Sequence, residues 1–164
     1  MMPYPIDLRA VSSAPLRCCA IALILAVAIG LVSCTGNVSQ DQVLLILESP
    51  AHERIRLLAE VADEPQERQR GLSGRAELAQ EAGMIFLFDQ EEVLSFWMKD
   101  TLIPLDILFF TSRGAFVSWS RMEPCVADPC PLYTSGDPAR YAVEVPAGFV
   151  RDKGVGEGWT LRVR

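Results

Sequence analysis

The stretch Gly83–Phe110, GMIFLFDQEEVLSFWMKDTLIPLDILFF, constrains this chain most. Its apolar runs are short and cut by polar turns, a pattern that supports strands rather than a long helix. It predicts a strand over Met84–Phe88, an acidic turn over Asp89–Glu92, a strand over Val93–Met98, a turn over Lys99–Leu102 and a strand over Ile103–Phe110. Two charges, Lys99 and Asp106, stand among residues that favour burial. On the last strand Ile103, Leu105, Ile107 and Phe109 share one face, and Pro104, Asp106, Leu108 and Phe110 share the other. Both faces are largely apolar, so this strand is expected at the centre of a sheet.

The flanking sequence continues the pattern. Gln42–Glu48 and the alternating Arg54–Ala62 predict two strands before the stretch. Thr111–Gly114 predicts a hairpin turn into a strand over Ala115–Ser120, and Tyr141–Val145 and Trp159–Val163 predict two more. Helical character is confined to 63–80. There Pro65 suits a first turn, Gly71 a stop, and Ser73 a cap for a second short piece over Ala76–Ala79. Gly148–Gly158 is expected to be irregular, with one helical turn. The expected fold is mainly β, a compact β-barrel or sandwich with one short helical insertion.

The N-terminus has a different character. Arg9 and Arg17 precede an apolar run, Cys18–Val32, whose 15 residues would reach about 22 Å as a helix, short of a ~30 Å bilayer core. A basic start, a short apolar centre and a small-residue exit predict a secretory signal. The exit, Leu31-Val32-Ser33-Cys34, resembles the lipobox of bacterial lipoproteins, which implies a signal peptide over 1–33, acylation of Cys34 and a tether over 34–41. The domain over 42–164 would then sit at the periplasmic face of the cell envelope. Thr35 is not the aspartate of an inner-membrane retention signal, which favours the outer membrane where a cell has two. Removing residues 1–33 takes Arg9, Arg17 and Asp7, leaving 13 basic and 20 acidic residues and a charge of −7. Such a surface repels phosphate backbones, so no nucleic-acid partner is expected. Cys125 and Cys130, the even pair left after processing, are expected to form a disulfide. His52 is the only histidine, so neither a metal site nor a Ser-His-Asp arrangement around Ser73 has support, and no cofactor is expected.

Glu67-Arg68, Gly71-Leu72, Arg75, Leu78, Gly83-Met84-Ile85-Phe86, Phe96-Trp97-Met98-Lys99, Ile103-Pro104-Leu105-Asp106-Ile107, Val143-Glu144 and Gly148 together resemble the DUF192 family, a prokaryotic family of unknown function. The resemblance runs from about Ile55 to Val163, and its FWMK-x-T-x-IPLDI block is specific. It implies a compact β-barrel or sandwich, often exported or membrane-tethered, and no particular activity. Asp100 stands where the family usually has Asn, and Trp159 follows Gly158 where the family often has Asp.

Six residues are candidates for ligand binding: Arg68, Arg75, Trp97, Lys99, Asp106 and Glu144. A carboxylate on a central strand needs a partner, because an unpaired buried charge is costly; for Asp106 the candidate partners are Lys99, Arg75 and Arg68. Its roles stay open between a structural ion pair, a ligand-facing acid and a catalytic acid or base. Arg68 and Arg75 could hold a carboxylate or phosphate between them, or pair with nearby acids. Trp97 shares a strand face with Ser95 and is the better candidate for a partly exposed ring. The expected function is a non-catalytic, lipid-tethered envelope domain that binds a ligand or a protein. Two alternatives stand beside it: a structural or assembly role, and a hydrolase of cell-wall glycan using Asp106 and Glu144 as paired carboxylates.

Overall fold

The structure, a computed structural model, describes residues 41–164. The expected signal peptide, Cys34 and all but the last residue of the tether lie outside the described residues. Strands β1 (Gln42–Glu48) and β2 (Arg54–Ala62) form an antiparallel hairpin. Alternation works as expected along β2: Leu57 and Ala59 are buried while Arg54, Arg56 and Leu58 point outward.

Helix α1 (Pro65–Arg70) follows. Pro65 costs it nothing in the first turn, where the N–H has no helical acceptor. The Glu67 carboxylate accepts from the Asp63 and Glu64 amides at 3.3 Å each, which satisfies donors that a helix start leaves over. Gly71, at φ 49°, ends the helix, its N–H donating to the Glu67 carbonyl. No second helical piece forms over Ala76–Ala79. Ser73 does not cap; its hydroxyl and the Gly74 amide both donate to the Asp100 carbonyl, tying this loop to the turn after Met98.

The chain returns as β3 (Ala82–Glu92), parallel to β2. The acidic Asp89–Glu92 continues this strand instead of turning. The expected strand over Val93–Met98 shrinks to β4 (Ser95–Phe96), which pairs only with β7 (Tyr133–Thr134) in a small second sheet. Its faces are nonetheless as read from the sequence: Leu94 and Met98 are buried and Val93 and Trp97 exposed. β5 (Leu105–Phe110) is buried along its whole length, between β6 (Phe116–Met122) and β8 (Ala139–Pro146). Helix α2 (Phe149–Lys153) and β9 (Thr160–Val163) complete the chain.

The main sheet runs β6-β5-β8-β3-β2-β1-β9. It is not closed into a barrel. Its two ends touch at a single bridge, Ala115 to Thr160. The sheet has an apolar core on each face, which is why β5 and β8 read as apolar on both sides. One core gathers Leu45, Leu57, Leu108, Phe110, Val143 and Trp159, with Phe149 and Val150 of α2 plugging it. The other gathers Met84, Phe86, Ile107 and Phe109 under Leu72, Leu94 and Met98. Phe96 of the small sheet packs edge-on to Phe86, with ring centroids 4.9 Å apart. Cys125 and Cys130 are bonded, and their loop runs beside Lys99 through a Lys99–Cys125 bridge.

Candidate functional site

Asp106 and Glu144 lie on neighbouring strands but on opposite faces. Asp106 pairs in register with Val145, whereas Glu144 pairs with Ile107 on one side and Met84 on the other. Residues paired in register share a face. Asp106 therefore belongs with the core that α2 plugs, and Glu144 with the core under the small sheet.

Asp106 is fully buried. Its Oδ1 accepts from Arg121 Nε at 2.9 Å, and its Oδ2 from the Gly148 and Val150 amides at 2.9 and 3.0 Å. One carboxylate thus fastens β5 to β6 and holds the start of α2, where free amides favour an anion. Its partner is Arg121, none of the three cations considered from the sequence. Two carboxyls on opposite faces of one sheet cannot flank a glycosidic bond, which removes the paired-carboxylate arrangement.

Glu144 has the opposite environment. It is only 5% exposed. Its carboxyl makes no hydrogen bond or ion pair among the described residues, and since no fully buried side-chain polar atom there lacks a partner, its oxygens reach the cleft. Burial alone pushes its pKa up, from 4.5 to about 8, which favours the neutral form at pH 7. It lines a cleft of about 30 Å³, together with Arg68, Arg70, Trp97, Lys99 and Thr101. Gly71 forms part of the wall. A Cβ there would sit 3.5 Å from Phe86 Cζ and 4.0 Å from Glu144 Oε2, and the positive φ itself favours glycine.

The sequence candidates separate as follows. Arg68, Trp97, Lys99 and Glu144 converge on this cleft, and Arg75 and Asp106 do not line it. Arg68 is largely committed: Nη1 donates to the Asp63 and Leu87 carbonyls, and its guanidinium lies over the Phe88 ring. Arg75 pairs with Glu60 of β2. Lys99 Nζ stands 5.8 Å from the centroid of the half-exposed Trp97 ring and 3.8 Å from an Asp128 carboxylate oxygen. Arg70, Thr101 and Arg121 received no role from the sequence. Thr101 stood inside the FWMK-x-T-x-IPLDI block, but in a turn, where no periodicity marks a side chain as buried. Among the described residues no group of three or more His, Cys, Asp or Glu could hold a metal ion, and no helix is long and apolar enough to cross a membrane.

The model of the DUF192 family, described as "Uncharacterized ACR", matches residues 46–163, and the chain belongs to that family. No curated protein matches the chain. Among solved structures it is similar to one from Sinorhizobium meliloti described as a "putative transcription regulator", at 32% identity and a TM-score of 0.72, covering 78% of this chain and 98% of that one. It is also similar to a protein of unknown function from Novosphingobium aromaticivorans, at 25% identity and a TM-score of 0.69, covering 77% of this chain and 89% of that one. Both family departures have local explanations. Asp100 adopts φ 58°, a region that Asn and Asp tolerate better than most residues. Trp159 fills the core plugged by α2, so no acid acts at that position.

Proposed function

We propose that this chain is a non-catalytic binding domain of the cell envelope, held to the membrane by lipid on Cys34, that takes a ligand or a protein group in the Glu144 cleft. One observation carries the reading: a nearly buried residue, Glu144, whose carboxyl has no internal partner and reaches an open cleft. A polar group largely stripped of water and without a protein partner is favoured by a bound group that hydrogen-bonds it. The half-exposed Trp97 beside it offers a flat contact surface. A hydrolase acting through Asp106 and Glu144 is disfavoured by their opposite faces. The Sinorhizobium relative is described as a "putative transcription regulator"; for this chain a role through direct contact with DNA is disfavoured by the acidic charge.

The test uses the full chain in bacterial cells, with a photo-crosslinking amino acid in place of Trp97. The reading expects an adduct in the membrane fraction that Glu144→Ala abolishes, and loss of membrane association in Cys34→Ser. Adducts indifferent to Glu144, or none, would sink the binding site. Unchanged fractionation of Cys34→Ser would sink the anchor.

A further inference from the structure

The chemistry of the cleft also indicates what class of group it accepts, an inference that rests on the binding site proposed above. Two buried polar side chains meet there. Glu144 and Thr101 are 5% and 8% exposed. Neither the carboxyl nor the hydroxyl has a hydrogen-bond partner among the described residues, and no fully buried side-chain polar atom there lacks one, so these oxygens reach the space of the cleft. Both line the same small space. Its volume of about 30 Å³ admits roughly two water-sized groups, at about 10–15 Å³ each. That is room for the head of a ligand rather than its body.

The charges around this space are cationic. Arg68 and Arg70 stand on the α1 side, and Lys99 on the turn beside Trp97. Arg70 forms no ion pair among the described residues. The neighbouring strands offer Met84, Phe86 and Ile107, none of which ionises. Acids nearby in the chain, Asp100 and Asp128, are exposed and do not line the cleft, although Asp128 lies 3.8 Å from Lys99 Nζ. In a chain of net charge −6 this is a local positive mouth, and it disfavours an ammonium head.

We infer that the cleft binds a carboxylate head group, with the Thr101 hydroxyl and the Glu144 carboxyl hydrogen-bonding its oxygens and Lys99 and Arg70 supplying the countercharge at the mouth. A neutral carboxylic acid can donate such a bond only while it keeps its proton, and burial keeps it on Glu144 through neutral pH. Losing that proton would place two anions in contact. The same chemistry could come from a free small acid or from the C-terminus of a peptide, with Trp97 then covering the residue that carries it.

The experiment is calorimetry or NMR titration of the purified full-length protein with four probes: acetate, methylammonium, N-acetyl-alanyl-alanine and its C-terminal amide. Acetate or the free-acid peptide is expected to bind at pH 6 and to weaken at least tenfold by pH 9.5. The amide is expected to lose that affinity. Acetate binding alone would identify a small acid as the source, and peptide binding alone a C-terminus. Glu144→Gln retains a donor and is expected to bind without the pH dependence, whereas Thr101→Val weakens binding at every pH. The inference is overturned if methylammonium binds and tightens as pH rises, if the amide binds as well as the acid, or if all four probes leave the protein unchanged at 100 mM. These failures are separable from failure of the binding site itself: a Glu144-dependent crosslink at Trp97 would leave the site standing with a different ligand chemistry.

Discussion

At the scale of single residues, two carboxyls on adjacent central strands have opposite fates because of what faces them. Asp106 meets one guanidinium and two amides and so fastens the fold. Asp106→Asn removes the ion pair and sets a side-chain NH2 donor against a donor that the lost oxygen had accepted from. The expected cost is about 3 kcal/mol, within the range for breaking a buried pair, read as a lower urea midpoint at unchanged slope. An unchanged midpoint would mean that Arg121 and α2 are held by other contacts. Glu144 meets no donor, and its pKa rises to about 8. Between the unfolded carboxyl pKa near 4.5 and the folded value near 8, the native state holds a proton that the unfolded state releases. Stability contributed by this group therefore falls as pH rises through that window and stays low above it. Glu144→Gln should flatten this slope and be more stable than the parent at pH 9 by a few kcal/mol, at about 1.4 kcal/mol per pKa unit. Parallel stability–pH curves for the two proteins would contradict this account.

At the scale of elements, the sheet's architecture depends on close backbone approaches. A Cβ on Gly114 would come within 2.2 Å of the Leu161 carbonyl oxygen, at φ 76°. That glycine's own carbonyl accepts the Leu161 amide, and the Phe116 amide donates to Trp159, so the β5–β6 hairpin and β9 meet here. Gly114→Ala should cost about 2–4 kcal/mol through backbone displacement and strain, with proteolysis increasing near the β5–β6 turn. Tolerance of alanine at wild-type stability would show that this contact is incidental. The same hairpin explains why Arg121 was not legible in the sequence. Phe110 pairs with Phe116, but a bulge shifts Phe109 onto Ser118, and the shifted register sets Asp106 against Arg121. An unbulged hairpin would have set Ser120 there, and a one-residue slip moves every side chain to the other face.

At the scale of the whole molecule, eight of the nine strands and the buried β5 were legible because apolar alternation and turn residues are local signals, and the disulfide because an even pair of cysteines was left; the two-residue β7 was not. The lost helical piece over Ala76–Ala79 and the shortened β4 were not, because tertiary ties decide them: Ser73 and Gly74 bond across to Asp100, and β4 has only two-residue β7 to pair with. The candidate site was half legible. Trp97, Lys99, Arg68 and Glu144 stood out as residues, yet which face Glu144 occupies, and the company of Thr101 and Arg70, follow from register and loop placement. Asp106 drew more attention than Glu144 because a charge in an apolar run stands out whether or not it is paired. That Glu144 is the unpaired carboxyl of an open cleft, kept protonated by burial, is tested most directly by an NMR titration of its carboxyl carbon in the folded protein. A midpoint near 8 is predicted, with Glu144 still neutral at pH 7, and a midpoint near the ordinary 4.5 would contradict the claim.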